Sequence, residues 1–182
     1  MYEKVLSSDN IVYVKLTESL VNEYLELVND PEIQELVSTK KKTILLSDEL
    51  KWIKSKLENN DYVFTMIEKN TNEFIGNVEL MDYNGESAEL AISICKKMQN
   101  KHYGMEAMKT IIDYAFNELK LSTLNAVVFS NNYRSLHCIE KLGFIKYKVV
   151  PNVKQVDDLE VDDVYLKLVN NYIWDGNKLT SY

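Results

Sequence analysis

The sequence predicts an α/β fold in which a mixed sheet is flanked by helices, and three observations carry that expectation. Runs rich in β-branched and aromatic residues recur at Ile11 to Leu16, Tyr62 to Ile67, Phe74 to Met81, Ala88 to Ile94, Leu124 to Phe129, Ile145 to Val150 and Val164 to Val169. A long run of helical spacing starts at Tyr103, where Ala107, Met108, Ile111, Ile112, Ala115 and Leu119 share one face. A helix over 103 to 120 is the length of crossover that parallel pairing requires, so the strands on either side of it are expected to be parallel neighbours.

Length and composition set the frame. The 182 residues are read as a single domain, 1 to 182, since roughly 150 residues per domain is the usual prior. Hydrophobic residues at 46% and charged residues at 27% exclude a disordered or fibrous chain. The net charge of -7 argues against nucleic acid or an anionic membrane as partner and favours a neutral or cationic small one. The two cysteines, Cys95 and Cys138, are too few for a disulfide framework and suit a reducing compartment. With no long apolar run and no secretory signal at the start, the protein is expected to be cytoplasmic.

Taken in order, Ile11 to Leu16 alternates as an opening strand. Thr17 follows as a helix cap, and Leu20, Val21, Tyr24, Leu25 and Val28 continue at helical spacing until Asn29-Asp30-Pro31 stops them. Glu32 to Val37 predicts a second short helix. Ser47-Asp48-Glu49 predicts the start of a third, which carries Leu50, Ile53 and Leu57 inward and stops at Asn59-Asn60. Asn70-Thr71-Asn72 and Asn84-Gly85-Glu86 are turns that fold the next three strands into an antiparallel meander. After strand Leu124 to Phe129, Ser130 or Asn131 is expected to cap a short helix closed by Gly143-Phe144. The last two strands form a hairpin around the acidic connection 157 to 163. On its own that connection reads as a solvated turn.

Chemistry concentrates between residues 89 and 107. The basic stretch Lys96-Lys97, Lys101 leads into the start of the long helix, whose unpaired N–H groups and positive dipole end suit an anion. Glu89 to Ala107, followed by Asn132-Tyr133-Arg134-Ser135 and Glu140-Lys141-Leu142-Gly143-Phe144, resembles the GNAT superfamily of acetyl-CoA-dependent N-acetyltransferases, in particular the ribosomal-protein N-acetyltransferase branch. The resemblance covers roughly residues 10 to 169. It implies a mixed central sheet with splayed parallel strands, and acetyl-CoA as co-substrate.

In that family a [Gln/Arg]-x-x-Gly-x-[Gly/Ala] loop holds the CoA pyrophosphate on backbone N–H groups. Here it reads Gln99, Asn100, Lys101, His102, Tyr103 and Gly104, with His102 in place of the first Gly, and Met105 and the family's usual Glu106-Ala107 next. The resemblance assigns the backbone of Ile92, Ser93 and Ile94 to the pantetheine arm and the tetrahedral oxyanion. Asn132 would bond the arm or hold the strand ends apart, or it caps a helix. Where other branches carry a thiolate-protonating Tyr this chain has Ile139, so Ser135 is the candidate proton donor or water anchor, and otherwise a helix-surface Ser. Glu89 is the candidate base for the acceptor ammonium, or an ordinary strand Glu.

The implied acceptor is a primary amine of a protein N-terminus, a polyamine-like molecule or an amino sugar, attacked directly in a ternary complex. The resemblance also places the acidic connection 157 to 163 beside the acceptor opening, which implies a lure for a cationic amine. A non-catalytic acyl-CoA sensor or interaction module is the rival, because of His102 and the missing Tyr. The spacing of His102, His137, Cys95 and Cys138 fits no metal site. The apolar Tyr172-Ile173-Trp174 is expected to pack on a neighbouring copy, as in a homodimer, or on the chain's own sheet.

Overall fold

The computed structural model describes residues 2–157 and 159–170, with the backbone also of 173–174 and 179–180. Strands β1 (Lys4–Ser7) and β2 (Ile11–Lys15) open the chain. After a 3-10 turn capped by Thr17 come α1 (Val21–Asn29), α2 (Pro31–Val37) and α3 (Leu46–Glu58). The meander β3 (Tyr62–Glu68), β4 (Phe74–Met81) and β5 (Ser87–Ile94) leads into α4 (Tyr103–Asn117). Then follow β6 (Thr123–Phe129), α5 (Tyr133–Lys141), β7 (Ile145–Val156) and β8 (Leu159–Val169), and the short pair β9 (Ile173–Trp174) and β10 (Leu179–Thr180).

Eight strands form one sheet in the order β1-β2-β3-β4-β5-β6-β8-β7, and the expected parallel pair is β5 with β6, bridged by α4. On one face α4 and α5 bury Met108, Ile111, Ile112 and Ile139 against Phe64, Leu90, Leu124 and Leu166. The other face is packed by α1, α2 and α3, whose Tyr24, Leu27, Ile33 and Ile53 close on Val14, Val63 and Phe74. Those partners come from β2, β3 and β4, which leaves the β5–β6–β8 part of that face for function.

Several boundaries differ from expectation. The β1 edge strand went unpredicted because its adjacent Val5 and Leu6 show no alternation. The third helix begins at Leu46, after a Leu45 whose side chain makes no cap, so Ser47 lies inside it. Helix α4 ends at Asn117 and Lys120 is left-handed, φ 58. The cap of α5 is Asn132, not Ser130 or Asn131: its Oδ1 accepts from the Ser135 N–H at 3.2 Å.

The largest departure is the last hairpin. The acidic connection is mostly strand, with Glu160, Asp162 and Asp163 in β8 and the turn confined to the residues near Asp157. The strand expected over Ile145 to Val150 runs on to Val156, past an irregularity at Pro151-Asn152 where the register shifts between Val150 and Lys154. Asn152 adopts φ 54 there, and its N–H donates to Asp162 Oδ1 at 3.0 Å. The Tyr172 of the apolar tail lies outside the described residues, as do the side chains of Ile173 and Trp174.

Two contacts position the functional end. Gly76 on β4 has φ 154, and a Cβ there would meet the Ser93 carbonyl oxygen at 2.0 Å. Only glycine lets β5 run this close. At the other side of α4, the Glu106 carboxylate accepts from Ser8 Oγ at 2.6 Å, the Asn10 N–H at 2.7 Å and Asn10 Nδ2 at 2.9 Å, tying the β1–β2 turn to the helix start. Although burial opposes the charge, these bonds hold the Glu106 pKa below the ordinary carboxylate range.

Glu106→Ala is expected to lower stability by about 1–3 kcal/mol at neutral pH, read from urea unfolding. Because the folded pKa is lowered, the part of this contribution that depends on ionisation is fully present above the unfolded value. It disappears as pH falls through the folded one. A difference between parent and variant that does not shrink in acid would contradict the assignment.

Candidate active site

Strands β5 and β6 pair only over Ser87–Glu89 and Thr123–Asn125, although they run on to Ile94 and Phe129. Beyond that last rung they part. The backbone directions around the gap follow from two contacts on the β4 side. The Cys95 N–H donates to Ile75 O at 2.9 Å, and the Ser93 carbonyl lies against Gly76. Successive peptide groups of a strand alternate in direction, so the N–H and C=O groups of Ile92 and Ile94 aim the other way, into the gap left by β6. Gln99 confirms the direction, donating from Nε2 to Ile94 O at 3.0 Å.

The loop after β5 is built to present N–H groups. Asn100 (φ 61) and His102 (φ 67) are both left-handed, which folds the backbone into a concave turn of the kind that holds anions. His102 caps α4 without a side-chain bond and is exposed, while the first hydrogen bond of the helix runs from the Glu106 N–H to His102 O at 3.2 Å. The N–H groups of Tyr103, Gly104 and Met105 therefore start the helix with no intrahelical acceptor. Gly104 has ordinary helical geometry, and a Cβ there would meet only Ile94 Cδ1 at 3.3 Å. Folding alone does not demand glycine at this position.

A cleft of about 950 Å³ joins these parts. Of the residues expected from sequence, Ile92, Ser93, Ile94, Gln99, Asn100, His102, Tyr103, Gly104, Met105, Asn132 and Ser135 line it. Lys101 does not: it is exposed, and its Nζ lies 3.5 Å from Met98 Sδ. Sequence reasoning missed the α2 wall of Glu32, Ile33, Leu36 and Val37, which no local pattern announces. Sequence alone gives no role of its own to Arg134, the chain's single arginine, whose Nη1 donates to Gln99 Oε1 at 2.7 Å and ties α5 to the loop across the cleft mouth.

Glu89 lies outside the cleft, at the vertex of the gap on the last β5–β6 rung. Its neighbours Ala88 and Leu90 are buried with α4, so alternation turns Glu89 to the opposite face. Burial, then the like charges of Asp82, Asp163 and Glu79, push its pKa above the ordinary carboxylate range. Glu79 on the neighbouring strand is raised by burial too, even with Lys56 Nζ at 3.6 Å. Asp163, from the acidic stretch, joins them on β8 with its pKa raised by burial.

A mixed sheet parted at one parallel pair, with an N–H-rich loop on one side and partly buried carboxylates on the other, matches the acyl-carrier-dependent transferase architecture that the sequence resemblance implies. The family model for an acetyltransferase (GNAT) domain matches residues 10–145, and the chain belongs to that family. It is 28% identical over 116 residues to the probable N-acetyltransferase YjcK of Bacillus subtilis, covering 62% of this chain and 64% of that protein. To the spermidine N(1)-acetyltransferase of Escherichia coli K12 it is 36% identical over 74 residues, 40% of each chain. The chain thus spans less than two thirds of these relatives' lengths. Its fold matches that of a Vibrio cholerae spermidine N-acetyltransferase solved with CoA and spermine, with a TM-score of 0.81 at 19% identity over 89% of this chain and 96% of that one.

The geometry separates the loop residues by experiment. His102→Gly relieves a left-handed non-glycine residue and is expected to leave the calorimetric Kd for CoA unchanged or tighter. Gly104→Val is expected to weaken CoA at least about tenfold, by setting a branched side chain where the backbone must approach phosphate. Parent-like affinity for Gly104→Val would show that the loop is not the phosphate site.

Proposed function

We propose that the protein transfers the acetyl group of acetyl-CoA to a primary amine of a small cationic molecule by direct attack in a ternary complex. The observation that carries this reading is the parting of β5 and β6 between two chemically opposite environments. The N–H groups of the loop from Asn100 to Met105 suit the pyrophosphate, and the cleft volume and the α2 wall suit the pantetheine arm. The backbone groups of Ile92 and the N–H of Ile94, which face the gap, pair with that arm as a missing strand would, while the Ile94 carbonyl is held by Gln99.

On the other face, Glu89 removes a proton from the acceptor ammonium. The amine nitrogen then attacks the thioester carbon, and the N–H of Ile92 or Ile94 stabilises the oxyanion that forms. Collapse breaks the C–S bond as the attached nitrogen gives up its second proton, and Ser135, on the cleft wall, relays that proton to the thiolate directly or through a water and ends as the hydroxyl it began. This use of Ser135 with an aliphatic Ile139 is the chemistry of the ribosomal-protein branch. Asn132 is the α5 cap through its Oδ1, and its place on the cleft wall supports a further contact from its side chain to the arm.

Acceptor class follows from charge. Glu89, Glu79, Asp82 and Asp163 form one acidic neighbourhood, which favours a cation over an anionic sugar nucleotide. A polyamine such as spermidine, the substrate named for two of the related proteins, fits it. The free thiols Cys95 and Cys138 suit a reducing cytoplasm.

A panel of primary amines with acetyl-CoA, read as release of free CoA thiol, is expected to give turnover with polyamines. The non-catalytic alternative gives thermal stabilisation by acetyl-CoA without release. Activity should rise with pH through the Glu89 pKa, an acid limb displaced above the ordinary carboxylate range, since the base works only when ionised. Glu89→Gln is expected to lower kcat about 10²- to 10⁴-fold and to remove that limb. An unaltered profile in the variant would assign the base elsewhere.

A further inference from the structure

Helix α2 is held from outside the cleft by a side chain that belongs to the far end of the chain. Lys154, on β7 opposite Val161, extends over β8 to β6, where its Nζ lies 3.8 Å from the centre of the Phe129 ring. The same ammonium donates to the carbonyl oxygen of Glu35 and, at 3.1 Å, to that of Ser38. Both carbonyls belong to the C-terminal end of α2, where the last carbonyls of a helix lack intrahelical partners and the dipole favours a cation. The ammonium thus joins three elements, β7, β6 and α2, in a partly buried position.

The helix it grips is also bound to the chain on either side. Gln34, buried inside α2, donates from Nε2 to Val28 O at 2.7 Å and to Lys42 O at 2.6 Å, and its Oε1 accepts from the Lys42 N–H at 3.1 Å. At its other end α2 is tethered through Glu32 to Lys96, an ion pair whose side chains are both well exposed. Exposed pairs hold little. The Lys154 contact, desolvated and made to two carbonyls and a ring, is the stronger of the two tethers.

We propose that Lys154 is a positioning residue for acetyl-CoA: by latching the β7–β8 hairpin to the end of α2, it fixes the α2 wall of the cleft while touching no substrate itself. The proposal rests on the reading of that cleft as the acetyl-CoA site. It also explains why β7 runs on past Val150 and β8 starts ahead of Val164, since the longer strands are what carry Lys154 to the point where it reaches over β8 and β6 to α2. When the latch is lost, α2 spends only part of the time in place, and the apparent Kd rises in inverse proportion to that fraction.

The test compares Lys154→Met, which keeps the apolar stem, with Lys154→Arg, which keeps the charge and donors. Calorimetric CoA titration is expected to show a loss of affinity of about three- to tenfold for the Met variant and near-parent affinity for the Arg variant. Amide hydrogen exchange of the CoA-free proteins should speed up across 33–37 in the Met variant and stay parent-like in α4. Faster exchange in α2 with unchanged CoA affinity would reduce Lys154 to a structural contact and overturn the proposal, as would unchanged exchange. A Gly104→Val control separates the two levels. If that variant binds CoA as the parent does, the cleft reading itself fails; if it binds weakly while Lys154→Met binds normally, only the latch is refuted.

Discussion

Everything functional here depends on one missing interaction, the β5–β6 ladder beyond Glu89 and Asn125. In a continuous sheet the peptide groups of Ile92 and Ile94 would be satisfied by β6. Because the strands part, the groups of Ile92 and the N–H of Ile94 stay open toward a cleft, and open backbone groups in a half-buried place call for a partner. The parting is held from both sides. Gly76 lets β4 draw the end of β5 toward itself, and Gln99 bridges the Ile94 carbonyl to Arg134 on α5.

The parting also divides the chemistry. The α4–α5 side collects N–H donors from a loop with two left-handed residues, suited to phosphate. The other side collects Glu89, Glu79 and Asp163, each with its pKa raised by burial. An anion-seeking surface and a proton-accepting surface would neutralise each other if they were contiguous. Separated by one sheet, they can act at a single bond that passes through the opening.

Much of this is readable in the sequence alone. Alternation finds β2 through β6, and the length of the 103–120 run predicts the parallel pair, because a helix is the economical way to bring a chain back to the same edge. The Gln99–Gly104 loop and the Asn132–Ser135 element stand out because their chemistry is local in sequence, and the structure brings both to one cleft. What escapes is contact between distant residues. Nothing about Lys154 says that it will meet Ser38, more than a hundred residues earlier, and α2 looks like any short amphipathic helix until it is seen to wall the cleft. The continuation of β7 beyond Val150 escapes for a different reason: the turn chemistry of Pro151-Asn152 is the same in a strand end and in a strand irregularity, and only the pairing of Lys154 with Val161 distinguishes them.

The central claim is that the open β5 edge and the loop beyond it form one continuous binding surface. Residue-resolved amide hydrogen exchange by NMR, with and without CoA, tests it directly. The account predicts new protection at Ile92 and Ile94, alternating with little change at Ser93, which already faces β4, together with protection from Asn100 to Met105. Protection that skips Ile92 and Ile94, or that falls on the α1–α3 face instead, would contradict it.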